Sequence, residues 1–118
     1  MGPRPDGFGV RRPLRFLAHK LELTEEQVVQ LARILDELKT ERAQAEVDDR
    51  RTQGDLADAI AAESFDAAKA TGGADRRVDS AKRLRDAIVR ALQQLHAILT
   101  PPQRAKLAYL MRSGVLQV

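Results

Sequence analysis

The chain has 118 residues, no cysteine and a formal net charge of +3 at pH 7; 43% of its residues are hydrophobic, yet only 3% are aromatic. This length fits one domain with a modest core, and a composition rich in Ala, Leu and charged residues favours helices. The lack of cysteine excludes a disulfide framework and a thiolate metal site, and no apolar run is long enough to predict a transmembrane helix.

Charge is segregated along the chain, with +4 over residues 1–21, −7 over residues 22–71 and +6 over residues 72–118. This asymmetry predicts that acidic and basic helices pair with each other or with a neighbouring subunit. Nucleic-acid binding is the usual alternative for a chain with a pI near 9.7, but no nucleic-acid motif and few stacking aromatics accompany the arginines. We therefore expect no nucleic-acid partner.

The first stretch, residues 1–13, contains three prolines and three glycines, which predicts a flexible lead-in. A short amphipathic helix follows from Leu14 to about Leu21. Arginines at its start, including Arg12 and Arg15, oppose the helix dipole, which indicates an acidic neighbour. Glu25 and Glu26 are the local candidates for this neighbour.

The longest predicted helix begins at Thr24 and continues to about Ala62. Its apolar stripe is formed by Val28, Leu31, Leu35 and Leu38. The stripe then fails, because residues 39–55 contain nine charges. A helix this polar is typical of a segment that protrudes or lines an open surface, and this is what we expect here.

A short helix is predicted from Phe65 to about Ala70, with Ser64 as its N-cap and Gly72 and Gly73 as its end. Phe65 is then expected to be the anchor between the two long helices. The second long helix is predicted from about Asp75 to Ile98. Its expected core stripe consists of Val78, Ala81, Leu84, Ile88, Leu92 and Leu95.

The last predicted helix runs from Pro101 to about Arg112, and Gly114 ends it. Residues 113–118 form a short apolar tail. Between lead-in and tail, we expect a single helical domain over residues 14–112.

Two matched motifs mark helix starts: Leu23-Thr24-Glu25-Glu26-Gln27 and Leu99-Thr100-Pro101-Pro102-Gln103. In each motif a threonine lies three residues before a glutamine, which is the pattern of a capping box. The threonine hydroxyl accepts a hydrogen bond from the third backbone N–H, while the glutamine side chain returns to the threonine backbone. Thr24, Gln27, Thr100 and Gln103 are therefore predicted to cap helices.

No catalytic set is assembled by this sequence, so we expect no enzyme and no cofactor. His19 and His96 are the only histidines, and neither has a histidine partner one helical turn away. We interpret both as residues on helix surfaces and predict no tight metal site, although a weak site between subunits stays open for either.

Arginines on the two long helices have two interpretations. They form a solvated face, or they form a cationic and mildly apolar surface that captures unfolded chains, because charge speeds encounter and weak apolar contact holds the client. The candidate client-binding residues are Arg42, Val47, Arg50, Arg51, Leu56, Arg83 and Arg90, with Val47 and Leu56 expected to be exposed.

The paired Leu-Thr-x-x-Gln motifs resemble those of the Spy/CpxP family of periplasmic stress chaperones, which includes zinc-resistance and nickel-sensing members. The segment from Glu63 to Ala70 also resembles the "(D/E)-(S/T)-F-D-x-A-K-A" stretch of these chaperones. The resemblance covers about residues 14–112. The metal-sensing relatives rely on histidine-rich ligands, which this sequence does not supply.

This resemblance implies an all-α fold: a hooked hairpin of long helices with short flanking helices, which forms an intertwined, cradle-shaped dimer. It also implies an ATP-independent chaperone that binds unfolding or partly folded proteins in the periplasm and suppresses their aggregation. The alternative is a metal- or stress-responsive sensor subunit that binds a membrane signalling partner. We expect membrane contact only through an anchor that this chain does not contain.

Overall fold

The protein is all-helical in a computed structural model, which describes residues 11–118. The helices are α1 (Arg11–Lys20), α2 (Glu25–Ala61), α3 (Ala67–Ile98) and α4 (Pro101–Arg112), and this part of the chain contains no strand. The predicted all-α class is confirmed. Over these residues, no helix combines the length and the apolarity needed to span a bilayer.

Helix boundaries agree with the sequence where capping residues define them. α2 and α4 match their predicted ranges to within one residue at each end. α1 begins at Arg11, so the last three residues of the predicted lead-in are helical. The rest of that lead-in, residues 1–10, lies outside the described residues.

The predicted break in the second long helix is wrong. α3 begins at Ala67 and continues through Gly72 and Gly73 without interruption. Its first turn is capped by Asp66 rather than by Ser64, because the Asp66 side chain accepts a hydrogen bond from a first-turn backbone N–H at 3.0 Å. Glycine lowers helix propensity by about 1 kcal/mol, which packing against a neighbouring helix can offset.

Phe65 is also not the predicted anchor between the long helices. It lies in the turn between α2 and α3, and 61% of its surface is exposed. The close approach of α2 and α3 occurs instead at Gly73, whose backbone is buried. A Cβ atom there would lie 2.8 Å from the Cβ of Asp55, so only glycine fits without a shift.

The chain divides into two compact units. Unit 1 comprises residues 11–39 and 88–118 of the described chain, and it contains the apolar core. The buried residues of this core are Leu17, Leu21, Leu31, Ile34, Ala91, Leu95, Leu99, Leu107 and Leu110. All four helices contribute to it. Leu116 packs against the core from the predicted apolar tail, whereas Val115 and Val118 are exposed.

Unit 2, residues 40–87, is buried in a different way. Its buried side chains are small or polar, and they are Asp48, Thr52, Ala59, Ser80 and Ala87. The α2 and α3 segments are antiparallel. Lys69 near the start of α3 pairs with Asp58, whereas Arg83, further along α3, pairs with the earlier α2 residue Asp48. Helices can approach closely where such small residues meet.

The apolar stripe predicted for α3 is therefore only partly correct. Val78 and Ala81 are exposed, whereas Ser80 and Ala87 are buried. The buried face is rotated by about one residue in unit 2 because small side chains, rather than the largest apolar ones, fit the contact with α2. Whether residues 14–112 behave as a single domain stays a prediction.

Candidate functional site

Both repeated motifs form capping boxes. At the start of α2, the Thr24 backbone N–H donates to Gln27 Oε1 at 2.9 Å, and the Gln27 backbone N–H donates to Thr24 Oγ1 at 3.2 Å. At the start of α4, the Thr100 N–H donates to Gln103 Oε1 at 2.9 Å, and the Gln103 N–H donates to Thr100 Oγ1 at 3.4 Å. The two starts are therefore built alike, as local sequence predicts.

The two motif glutamines also bond directly to each other. Gln27 Nε2 donates to Gln103 Oε1 at 2.8 Å, and Gln103 Nε2 donates to Gln27 Oε1 at 3.1 Å. The side-chain amides thus close a reciprocal ring between the starts of α2 and α4. We call this pair of residues the glutamine ring.

Each glutamine has one further N–H, and each uses it on the end of another helix. Gln27 Nε2 donates to the Ile98 carbonyl at 2.7 Å, and Gln103 Nε2 donates to the Leu21 carbonyl at 3.1 Å. Both amide oxygens accept two bonds and both amide nitrogens donate at least two, so the side chains are fully satisfied. The ring therefore joins two helix starts to the ends of α1 and α3, where carbonyls lack intrahelical partners.

The turn after α1 presents its carbonyls to this ring through a left-handed residue. Glu22 has φ 53°, and the Leu23 N–H donates back to the Ala18 carbonyl at 3.0 Å. This is the bond pattern of a Schellman ending, with glutamate where glycine is usual. The Leu21 and Glu22 carbonyls both receive hydrogen bonds from Gln103.

The candidate client-binding residues differ in exposure and in ion pairing. Val47 lies three and four residues before Arg50 and Arg51, so the three share one face of α2. Both arginines are exposed, Val47 is half-buried rather than exposed, and within residues 12–118 neither arginine pairs with a carboxylate. We call these three residues the cationic cluster.

The other candidates occupy further positions on α2 and α3. Leu56 is half-buried rather than exposed, and its helical neighbour one turn on is Ile60, on the opposite flank of α2 from Val47. Arg42 is exposed two turns before Arg50. Arg90 is exposed and belongs to unit 1.

Arg83 is held in an ion pair. Its guanidinium donates to Asp48 Oδ2 at 2.9 Å, and Gln44 donates to Asp48 Oδ1 at 3.1 Å. Asp48 is only 4% exposed. Hydrogen bonds from Ser80, Arg83 and Gln44 lower the pKa of Asp48 below its ordinary value, and together they outweigh the opposing effect of burial.

Two further ion pairs join arginines of α3 to aspartates of α2 in unit 2. Arg77 pairs with Asp49 at 2.8 Å, and Arg76 pairs with Asp55 at 2.6 Å. Such half-exposed pairs contribute little stability one by one, about 0–1 kcal/mol each. Their consequence for the site is that these arginines are already neutralised.

Buried Thr52 adds a bond that the sequence did not indicate. It is 0% exposed, and its hydroxyl donates to a backbone carbonyl of its own helix or of α3, with oxygen separations of 3.1 Å to Asp48 and 2.9 Å to Gly73. The second contact crosses between α2 and α3 where Gly73 removes the side chain. A buried polar residue thus contributes a hydrogen bond between α2 and α3 at Gly73.

The described residues contain no group of three His, Cys, Asp or Glu side chains that could hold a metal ion. His19 and His96 both lie exposed on helix surfaces, as predicted. The expectation of no tight metal site stays a prediction.

Comparison with known proteins finds a family that matches most of the chain. The chain matches a family model, described as LTXXQ motif family protein, over residues 10–111. This range includes both capping boxes and confirms the resemblance drawn from them. No curated protein and no solved structure gives a significant match.

Proposed function

Because the chain belongs to the LTXXQ motif family, which is the Spy/CpxP type, we propose that it is an ATP-independent periplasmic chaperone without enzymatic activity. It binds unfolding or partly folded proteins and suppresses their aggregation. Its working form is a homodimer in which hooked helical hairpins form a shallow cradle. The observation that carries the proposal is the cationic cluster.

The cationic cluster has the chemistry that weak client capture needs. Arg50 and Arg51 carry charge that no carboxylate within residues 12–118 neutralises, whereas Arg83 is bound to Asp48. Unpaired charge attracts acidic segments over about a Debye length, roughly 8 Å at physiological salt. Capture is therefore fast and sensitive to salt.

Val47 supplies the short-range part of the same contact. A half-buried valine offers a small apolar area, so it slows release without holding the client tightly. A client that binds this weakly leaves without energy from a nucleotide. The proposed activity accordingly requires no nucleotide site.

Aggregation of a chemically denatured client, followed by light scattering without ATP, tests the proposal. Excess wild-type protein should suppress aggregation, less so at high salt. Replacing Arg50 and Arg51 together by Glu should slow capture, measured by stopped-flow fluorescence of a labelled client. Replacing the exposed residues Arg33 and Arg112 by Glu makes the same charge change elsewhere and should leave capture nearly unchanged.

Two alanine variants separate the apolar positions. Val47→Ala should speed client release, whereas Leu56→Ala should not, because Leu56 lies on the other flank of α2. Circular dichroism of both variants checks that helicity is retained. Equal effects of the two substitutions would contradict the assignment of Val47 to the client contact.

A sensor subunit is the second candidate, because an unpaired cationic cluster also suits an acidic patch on a folded partner. Unrelated denatured clients distinguish the two functions. If excess folded protein leaves the aggregation of several such clients unchanged, the chaperone proposal is wrong and the sensor proposal replaces it.

A further inference from the structure

We propose that the turn between α2 and α3 of one copy docks on α1 of a second copy. We call residues 60–66, which are the last two residues of α2 and the turn that follows them, the docking turn. The receiving surface is the exposed face of α1. This inference rests on the proposed dimer and assigns its contact residues. It does not depend on chaperone activity.

The docking turn is apolar where no core covers it. Ile60 is 75% exposed and Phe65 is 61% exposed, and the alanines between them are also exposed. The Asp66 backbone N–H donates to the Ala59 carbonyl at 3.3 Å, which closes the turn onto the end of α2. A turn fixed in this way presents two large apolar side chains on a defined frame, a feature typical of interaction sites.

The docking turn is also acidic. Glu63 and Asp66 lie within it, Asp58 lies two residues before it, and Lys69 is the nearest cation in sequence. Lys69 lies 3.7 Å from Asp58, and Asp66 caps α3, so Glu63 is left exposed without an ion pair in the described chain. The turn thus fits a surface that is basic and partly apolar.

The exposed face of α1 has this complementary character. Arg12 and Arg15 are exposed, and no carboxylate within residues 12–118 pairs with either of them. The acidic neighbours expected locally, Glu25 and Glu26, form no such pair. Phe16 is half-buried beside them, with the Lys20 ammonium 5.9 Å from its ring centroid.

A second copy suits both surfaces at once. Each copy carries one docking turn and one α1, so a twofold axis creates two equivalent contacts, and every turn and every α1 is used. One turn alone is small beside the roughly 800 Å² per partner of a standard interface, so the paired contact is what such a surface needs. Charge complementarity favours a contact between the docking turn and α1. A contact between two docking turns would bring two acidic surfaces together.

Engineered cysteines test the geometry, because these 118 residues contain no cysteine that would interfere. Glu63→Cys protein is mixed with Arg15→Cys protein and oxidised at a concentration where wild type is dimeric. A disulfide between the two different chains is expected. The matched control mixes Glu63→Cys with Arg33→Cys, another exposed arginine, and should give little cross-linking.

Charge exchange tests the energetics by analytical ultracentrifugation. Glu63→Arg should raise the dimer dissociation constant at least tenfold, and adding Arg15→Glu should restore most of the loss. Phe65→Ala should also raise this constant at least tenfold with helicity unchanged, because Phe65 is exposed within each chain.

Three results would overturn the inference, and each has its own meaning. A wild-type protein that stays monomeric at tens of micromolar rejects the dimer as well as its contact. A dimer with none of these sensitivities keeps the dimer and rejects this contact. Loss of aggregation suppression in Phe65→Ala at an unchanged dissociation constant assigns the docking turn to clients instead.

Discussion

Replacing Gln27 by Glu removes two hydrogen-bond donors while it leaves the shape of the side chain nearly unchanged. The carboxylate still accepts from the Thr24 backbone N–H, so the cap on α2 is retained. Gln103 Nε2 also keeps an acceptor. The bonds that disappear are those donated to the Ile98 carbonyl at 2.7 Å and to Gln103 Oε1 at 2.8 Å.

The expected loss follows from these two bonds. Each contributes about 0.5–1.5 kcal/mol net, and a buried acceptor without a partner adds to the cost, so we expect a destabilisation of about 2–4 kcal/mol. Gln27 is only 9% exposed, so water does not readily replace the lost donors. A destabilisation of this size would lower the Tm by roughly 10–20 °C.

The loss should depend on pH in a direction that the geometry dictates. In Gln27→Glu the carboxylate would face the Ile98 and Gln103 oxygens, and we expect this repulsion to exceed the effect of the two N–H donors that remain, so that its folded-state pKa is raised above the unfolded value. Stability is then retained below the unfolded pKa, near 4.3, and is lost as pH rises through the folded pKa. Protonation restores one donor, so the gap from wild type should narrow at pH 4 relative to pH 7.

Urea denaturation followed by circular dichroism at both pH values measures this gap. Gln94→Glu is the control, since Gln94 is exposed on α3 and receives the same charge change. It should remain within about 0.5 kcal/mol of wild type. If Gln27→Glu matched this control, the glutamine ring would not stabilise the fold. If its loss grew as pH fell, the expected rise in the folded-state pKa would be wrong.

Three further predictions concern single residues. Gly73→Ala should destabilise the protein by about 1–3 kcal/mol because its Cβ would meet the Cβ of Asp55 at 2.8 Å, whereas Gly72→Ala should stabilise it by about 0.5–1 kcal/mol, as thermal melts of the two variants would show. Asp48 has a lowered pKa in the folded state, so its stabilisation should be present above its ordinary pKa of 3.8 and disappear as pH falls further; acid titration of Asp48→Asn should lack that component. Glu22→Asn should keep or slightly increase stability in urea, because asparagine adopts the left-handed conformation more readily, whereas Glu22→Val should lose about 1 kcal/mol or more.

Local sequence was sufficient to predict the two capped helix starts. It was insufficient to predict that the two capping glutamines bind each other. A capping box depends on residues three apart, so Thr100 and Gln103 define the start of α4 without any tertiary information. The contact between Gln27 and Gln103 spans 76 residues and needed the fold. One signal for it was present in the sequence. A capping glutamine uses only its side-chain oxygen, so the two amide hydrogens in each motif still need hydrogen-bond acceptors elsewhere in the fold.

The buried positions of unit 2 were not predicted, because the residues that occupy them are small or polar. Leu31 and Leu38 define a seven-residue repeat, and its continuation gives Ala45, Thr52 and Ala59, the last two of which are fully buried. Apolar periodicity alone fails at this point, since small or hydrogen-bonded residues occupy the buried positions. Counting by sevens through them would have identified Thr52.

The long reach of the glutamine ring has a consequence for the order in which the chain folds. The contacts of Thr52 with Gly73 and of Asp48 with Arg83 in unit 2 close segments of 21 and 35 residues, whereas the glutamine ring closes one of 76. The entropy of loop closure rises with length, and contacts between distant residues form late in folding. The α2 and α3 segments of unit 2 can therefore pair as soon as α3 is synthesised. The core leucines of α1 and α2 are covered completely only after α4 is synthesised. A nascent chain that ends before Gln103 still carries an incomplete apolar core, which makes the last helix the step that commits the protein to its native state.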